Sequence, residues 1–389
     1  MSSSVHARWL TTLCYGAMMA LAIGLNLLPV YLTDLAVAYG EEGAPLGGER
    51  LGRLGALLFA GLVAGILATG PLADRWGAKP FALAGNALGA VALLGAAFSP
   101  DYFWLGASLF SLGLGAGVLD MVLSPVVAAL NPERRAAAMN WLHSFYCVGA
   151  AFTILVGTVL LGAGFGWRTA CLVLLPLPLG LCVLLARERF PALSAEGRRT
   201  PLRELLRRRW FLGALVAIFL GGATELGMAQ WLPAYAEREL GYPAWVGGSA
   251  FLAFAVAMAL GRMAVGQLDA RRDPYVVMAW SCAVTTVLFI AASFFPHPGV
   301  ALAACIAVGF TGSALWPTML AVTADRHPEG GATMFGALAA LGNAGGIFMP
   351  WLVGWVADGS SLAWGLACSA FAPALMLPLV LALRRGRTG

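Results

Sequence analysis

The apolar residues of this chain neither alternate nor keep to one face of a helix. They run on for about 20 residues at a time, and each run ends at a charged or Gly/Pro-rich break. Twelve such runs can be marked, at residues 9–33, 51–72, 80–98, 102–130, 137–162, 169–186, 210–236, 244–268, 275–295, 299–323, 332–357 and 362–383. About 20 apolar residues are what a helix needs to cross a bilayer, whereas barrel strands would show as alternating segments of about ten. The pattern predicts an all-α membrane protein with twelve transmembrane helices. An even number of spans puts both ends of the chain on one side.

The breaks are informative in turn. The longest, 187–209, divides the chain into an N-terminal six-helix bundle over 1–186, an inter-bundle loop over 187–209, and a C-terminal six-helix bundle over 210–389. Within Pro201-Leu-Arg-Glu-Leu-Leu-Arg-Arg-Arg-Trp210, Leu and Arg recur at helical spacing, which predicts a short amphipathic helix lying on the inner membrane surface. The stretch Asp34–Arg50 is acidic and Gly-rich, and an irregular outer loop is expected there.

Composition narrows the class further. Of 389 residues, 60% are hydrophobic and 11% charged, against roughly 25% charged in ordinary soluble domains. A soluble enzyme, a disordered chain and a disulfide scaffold are excluded. The 7 cysteines all fall inside apolar runs without CxxC pairing, and read as small packing residues rather than metal ligands or disulfides. The 49 glycines and 21 prolines suit spanning helices, where glycine permits close backbone approach.

The net charge of +5 is a topology signal rather than a nucleic-acid signal. With the N-terminus inside, 20 of the 24 basic residues, Arg262 among them, fall on inside segments; Arg50, Arg53, Arg168 and Arg238 stay outside. That imbalance places both termini in the cytoplasm of a bacterial inner membrane. A secondary role is contact with anionic lipid. Met1–Arg8 leads into span one with no small-residue cleavage site, so no cleavable signal is expected.

The two halves repeat. Asn26-Leu-Leu-Pro29-Val-Tyr31 matches Gln230-Trp-Leu-Pro233-Ala-Tyr235, and Gly70-Pro-Leu-Ala-Asp74-Arg75 matches Gly266-Gln-Leu-Asp269-Ala-Arg271. Pro132-Glu133 matches Pro328-Glu329 at an offset of 196, shared by Gly149 and Gly345. Parallel repeats imply a pseudo-twofold axis along the membrane normal, a binding cavity between the halves, and alternating access by their rocking.

Gly70-Pro-Leu-Ala-Asp74-Arg75-Trp-Gly77-Ala-Lys79 resembles the signature loop between spans two and three of the major facilitator superfamily, and Gly261-Arg262…Asp269…Arg271-Arg272 resembles its degenerate second copy. The resemblance covers the whole chain. It implies two pseudo-symmetric six-helix halves, with Gly70, Asp74, Arg75, Gly77 and Lys79 as a conformational latch on the inside face. Gly115-Ala-Gly117-Val-Leu-Asp120-Met-Val-Leu-Ser-Pro125, followed by Asn140-Trp-Leu-His143-Ser-Phe145, resembles the fucose:proton symporter branch. Gly222-Ala-Thr-Glu225, Trp316-Pro317-Thr318 and Gly342-Asn343 are similar to stretches of its sugar-carrying members. Span one departs from that branch: Gly24-Leu25-Asn26 stand where the fucose carriers have an acid.

Ionisable residues at membrane depth normally face a cavity or a partner. Asp120 in span four, His143 in span five and Glu225 in span seven are such residues. A carboxyl held out of water can exchange a proton reversibly, so Asp120 and Glu225 are candidates for proton coupling. Asn140 and His143 share a helix face at i, i+3. The amides Asn26, Gln230 and Asn343 suit hydroxyl-bearing ligands, and Trp231 and Trp316 offer flat faces to a sugar ring or a drug. Asn26, Asn140, His143, Glu225, Gln230, Trp231, Trp316 and Asn343 are therefore the candidate solute ligands. Gly113 to Gly117 reads as helix packing, since no strand precedes it. No nucleotide, metal or nucleophile motif appears, so neither an enzyme nor a cofactor is expected, the proton being the coupling ion.

These features point to a secondary active transporter of a small polar solute, with a sugar foremost, working with membrane lipids, as a monomer, and without nucleic acid. An exporter of amphipathic compounds in the same superfamily is the alternative. A non-transporting receptor or scaffold is the alternative of another class.

Overall fold

The computed structural model describes residues 3–40, 44–131, 135–191, 202–269, 273–327 and 330–386, with the backbone alone at 3–5, 71, 74, 135–137, 139–140, 266–269 and 331–333. Seventeen helices and no strand are found among the described residues. In chain order they are α1 (Ser3–Val30), α2 (Leu32–Ala38), α3 (Gly48–Trp76), α4 (Ala78–Ala97), α5 (Tyr102–Leu130), α6 (Arg135–Gly162), α7 (Trp167–Leu174), α8 (Pro176–Ala186), α9 (Leu202–Leu205), α10 (Arg209–Arg238), α11 (Ala244–Asp269), α12 (Pro274–Phe294), α13 (Pro298–Gly312), α14 (Leu315–Arg326), α15 (Gly331–Gly359), α16 (Leu362–Cys368) and α17 (Phe371–Arg385). They form 12 spans of membrane length, whose ends lie within four residues of those read from the apolar runs.

Three spans are broken where the apolar pattern runs on: six between α7 and α8, ten between α13 and α14, and twelve between α16 and α17. Each break precedes a proline in the first turn of the next helix: Pro176, Pro317 and Pro373. Proline has no N–H, so it frees the carbonyl four residues earlier while sitting comfortably in a first turn.

Two expectations about the loops need correction. The segment after span one is not wholly irregular, because α2 occupies Leu32–Ala38 and α3 begins at Gly48. The amphipathic segment before span seven is a single turn, α9, whose Leu205 is fully buried beside Phe211, Tyr275 and Met334. Its apolar side chain goes into the protein core instead of onto lipid. Residues 192–201 lie outside the described ones.

The chain divides into two compact units, one of Met1–Leu35 with Leu57–Glu196, the other of Ala36–Ala56 with Gly197–Gly389. Residues 36–56 thus group with the second unit. The reason is local. The Gly48 and Glu49 N–H groups at the start of α3 donate to the Asp358 carboxylate, and Glu49 accepts from Trp351 Nε1 at 3.0 Å.

In the first unit, glycines set the crossings. Gly113 and Gly117 of α5 abut the backbone of α3 at Leu58 and Leu62, while Gly61 and Gly65 of α3 abut α5 at Phe110 and Leu114. Gly115, on another face, meets Gly85 of α4. The second unit has a close crossing of its own, where Gly222 of α10 lies against Gly342 of α15. The repeat is visible in matching geometry. Gly149 lets α6 approach α1 at Met19, and Gly345 lets α15 approach α10 at Phe219. Asn131 and His327, 196 residues apart and each followed by proline, end α5 and α14 with nearly the same backbone, φ −127°, ψ 59° and φ −128°, ψ 64°. Proline disfavours the helical conformation in the residue before it, which stops both helices at the same point.

Candidate functional site

In the second unit the site is built on α10. Its small residues Gly221-Gly222-Ala223-Thr224 let the helix lie close to the break in span ten. A Cβ on Gly221 would stand 3.3 Å from the Trp316 backbone nitrogen, and Thr224 packs 3.4 Å from the Cβ position of Gly312. At the break, Pro317 leaves the Ser313 carbonyl without its i+4 donor. Arg262 of α11 supplies a replacement, donating from Nε to the Ser313 oxygen at 3.2 Å. The same guanidinium donates from Nη2 to both carboxylate oxygens of Glu225, at 3.0 and 2.9 Å. The Arg262 and Glu225 side chains are 32% and 15% exposed.

This changes the reading of Arg262. Counted from the sequence among the topology charges, it lies inside the span Ala244–Val265 and is turned to Glu225. Nineteen basic residues then remain for the inside face against 4 outside, and the orientation argument stands. Arg262 and Ser313 are functional candidates that sequence reasoning missed. An arginine close to a basic loop looks like a loop charge, and a freed carbonyl has no side-chain signature at all.

The neighbouring candidates are distributed unevenly. Trp316 is half-buried, with its ring against Gly342, where a side chain would collide with the indole. Asn343 is buried, and its Nδ2 donates to Ala339 of its own helix at 3.0 Å. Gln230 is buried against Gly55, and its Nε2 has no hydrogen-bond partner. Trp231 is fully buried and its Nε1 donates to the Pro350 carbonyl at 3.0 Å, so here it packs α10 onto α15 and offers no open face.

In the first unit, Asp120 is half-buried on α5, and the imidazole of His143, exposed on α6, lies near enough to act on it electrostatically. The structure thus brings these two candidates together. Asn140 lies on α6, but its side chain falls outside the described ones. Asn26, half-buried on α1, donates from Nδ2 to Ala22 at 2.9 Å. The sequence passed over Tyr15 of α1, which stacks on Phe145 of α6 with centroids 4.9 Å apart.

Of the latch residues, Gly70 packs near the Met121 methyl, Arg75 is exposed, and Gly77 takes φ +76° in the break between α3 and α4. Lys79 donates from Nζ to the carbonyls of Ala186 and Glu188 at 2.7 and 2.9 Å, capping the end of α8. The Glu188 carboxylate is held in turn by Trp9 Nε1 at 3.0 Å and His6 at 3.1 Å. In this structure Lys79 ties one end of the first unit together. The side chain of Asp74, and the second copy over 266–272, fall outside the described side chains.

Comparison with known proteins gives the class. The family model described as the Major Facilitator Superfamily matches residues 8–350. The chain belongs to that superfamily, and its twelve apolar helices make it a multi-pass membrane protein. It is 25% identical to the multidrug resistance protein MdtL of Shewanella sp. (strain ANA-3) over 59% of this chain, in an alignment that takes in 58% of MdtL. It is 22% identical to the glucose/mannose transporter GlcP of Bacillus subtilis (strain 168), over 74% of each chain. The crystal structure of the E. coli fucose:proton symporter FucP superposes with a TM-score of 0.65 at 18% identity, over 97% of this chain and 99% of that one. At that identity the likeness concerns the fold.

Proposed function

We propose that this chain is a proton-coupled carrier of a small hydroxylated solute, with a sugar foremost, working by alternating access in a bacterial inner membrane with both termini in the cytoplasm. The observation that carries the reading is the ion pair of Glu225 with Arg262 inside the spans of the second unit, together with a second acid within the spans, Asp120, which has His143 in its neighbourhood. Charges are retained at membrane depth where ions or polar solutes pass. Amides on α1, α10 and α15 supply both donors and acceptors for hydroxyl groups. GlcP, named as a glucose/mannose transporter, supports the solute class.

In this reading Asp120 exchanges the proton. The test is solute-driven proton uptake in proteoliposomes. Asp120→Asn abolishes uptake while leaving exchange of solute across the membrane intact, because the amide resembles the protonated acid in shape. Uptake that survives in Asp120→Asn but is lost in Glu225→Gln reverses the two roles. If uptake survives both substitutions, neither acid carries the proton; if the unaltered chain shows no solute-driven uptake, proton coupling is dropped.

A second reading is supported by MdtL, a multidrug resistance protein: an exporter of amphipathic compounds. Thermal stabilisation by hydrophobic cations, with none by sugars, favours it.

A further inference from the structure

The arrangement around Arg262 asks more of the solute than hydroxyl groups. The guanidinium is held at two sides. Nε is fixed on the Ser313 carbonyl that Pro317 leaves open, and Nη2 is closed off by both oxygens of Glu225. The first anchor is a neutral backbone group and does not titrate. The second is a carboxylate, and a proton on either oxygen removes both its charge and half of its acceptor capacity. Protonation would thus leave an oriented cation, still anchored through Nε, with its Nη2 edge open to another anion. A guanidinium matches a carboxylate in two parallel hydrogen bonds, which neutral hydroxyl groups cannot reproduce.

We propose that Glu225 and Arg262 form a proton-gated anion site in the second unit, and that the carried solute bears a carboxylate in addition to hydroxyl groups: a sugar acid in place of a neutral sugar. This rests on the reading of the chain as a carrier of a small hydroxylated solute and narrows it. With an acidic solute a proton from the aqueous phase binds Glu225 as well as Asp120, Arg262 turns to the solute carboxylate, and loss of the solute lets the internal pair close again, so that uptake driven by an acid falls in Asp120→Asn without vanishing. Each cycle keeps the local charge balanced.

The electrostatic surroundings are simple. From α11 the charged group at Glu225 is Arg262. The break between α13 and α14 presents the Ser313 carbonyl, which is neutral. Helix α13 carries no charged residue, and its titratable Cys305 lies beside Tyr235, further along α10. Helix α15 has none between Gly331 and Asp358, and the nearest polar group along it is the Asn343 amide.

The test is thermal stabilisation of the purified full chain by hexuronates and aldonates, by the matching neutral hexoses, and by tetraphenylphosphonium, at about pH 5.5 and 7.5. The hexuronates or aldonates are expected to stabilise the protein more strongly than the hexoses, and more at the lower pH. Arg262→Gln lowers their affinity roughly ten- to a hundred-fold, as expected for losing a charge-assisted pair, and Glu225→Gln makes it alike at both pH values. Should Arg262→Gln fail to fold, the double variant E225Q/R262Q leaves no lone charge in the span and must still show the lost preference for acids. Stabilisation by hexoses that is unchanged in Arg262→Gln overturns the anion site but leaves the carrier reading standing. Stabilisation by tetraphenylphosphonium alone overturns both. If no acid stabilises the protein, the anion site is overturned.

Discussion

A charge inside a span is tolerable only while something holds it, and the Glu225–Arg262 pair makes the cost of separation measurable. Removing one partner strands the other where water is scarce, whereas removing both leaves a neutral polar pair. Glu225→Gln and Arg262→Gln alone should each lower the melting temperature, and the double variant should lose less than their sum. The coupling energy expected is on the order of 1–3 kcal/mol, reduced by the partial exposure of Arg262. Strictly additive losses would mean that the two side chains act independently. The acid of this pair stands out in the sequence, because it interrupts an apolar run; so does Asp120. Their partners are harder to read. His143 was visible as a polar residue, but its proximity to Asp120 depends on the crossing of α5 and α6. Arg262 lies nine and ten residues before Arg271 and Arg272, and one-dimensional reading merges it with them.

At the scale of helices, packing rests on backbone approach. Lipid tails are as apolar as leucine, so spans associate through van der Waals contact and small residues rather than through a hydrophobic drive. The α3–α5 crossing is the clearest instance, with two glycines on each helix facing the other's carbonyls. Gly113→Val should abolish accumulation of folded protein, since a side chain there collides with the Leu58 carbonyl. Gly89→Ala is the control: nothing lies within 4 Å of that Cβ position, and alanine in a helix is worth roughly 0.5–1 kcal/mol over glycine. Measured by yield and melting temperature in detergent, equal tolerance of both changes would contradict the close crossing. The glycine pattern of α5 was legible as packing because its spacing is helical and no strand precedes it. The breaks in spans six, ten and twelve were not. Hydropathy is blind to a proline between two apolar segments, and prolines such as Pro125 sit inside an unbroken helix.

Over the whole molecule, two independent patterns in the sequence describe one architecture: the repeat at an offset of 196, and the one-sided distribution of arginine. The repeat was legible in short matches because the matched positions do the same work. Gly149 and Gly345 admit a neighbouring backbone, while Asn131 and His327 stop a helix ahead of proline. The grouping of residues 36–56 with the second unit was not legible, since it depends on Asp358, more than three hundred residues away, accepting from the first turn of α3. The arginine distribution makes the broadest prediction. Even with Arg262 reassigned to the span, 19 basic residues fall on the side of the termini and 4 on the other. Long inter-bundle segments rich in arginine stay in the cytoplasm, and the loop after span one lies across the membrane from them. Single cysteines placed at Gly197 and Gly43 should therefore react from opposite faces with a membrane-impermeant maleimide. Gly43→Cys is expected to label on intact cells, and Gly197→Cys only after permeabilisation. The 7 native cysteines are all buried or half-buried within helices, and replacing them supplies a clean background. The reverse labelling pattern would put the termini outside and leave the arginine imbalance unexplained. Labelling of both positions from one face would require an odd number of spans between residues 43 and 197 to be wrong by one, and would break the six-plus-six arrangement.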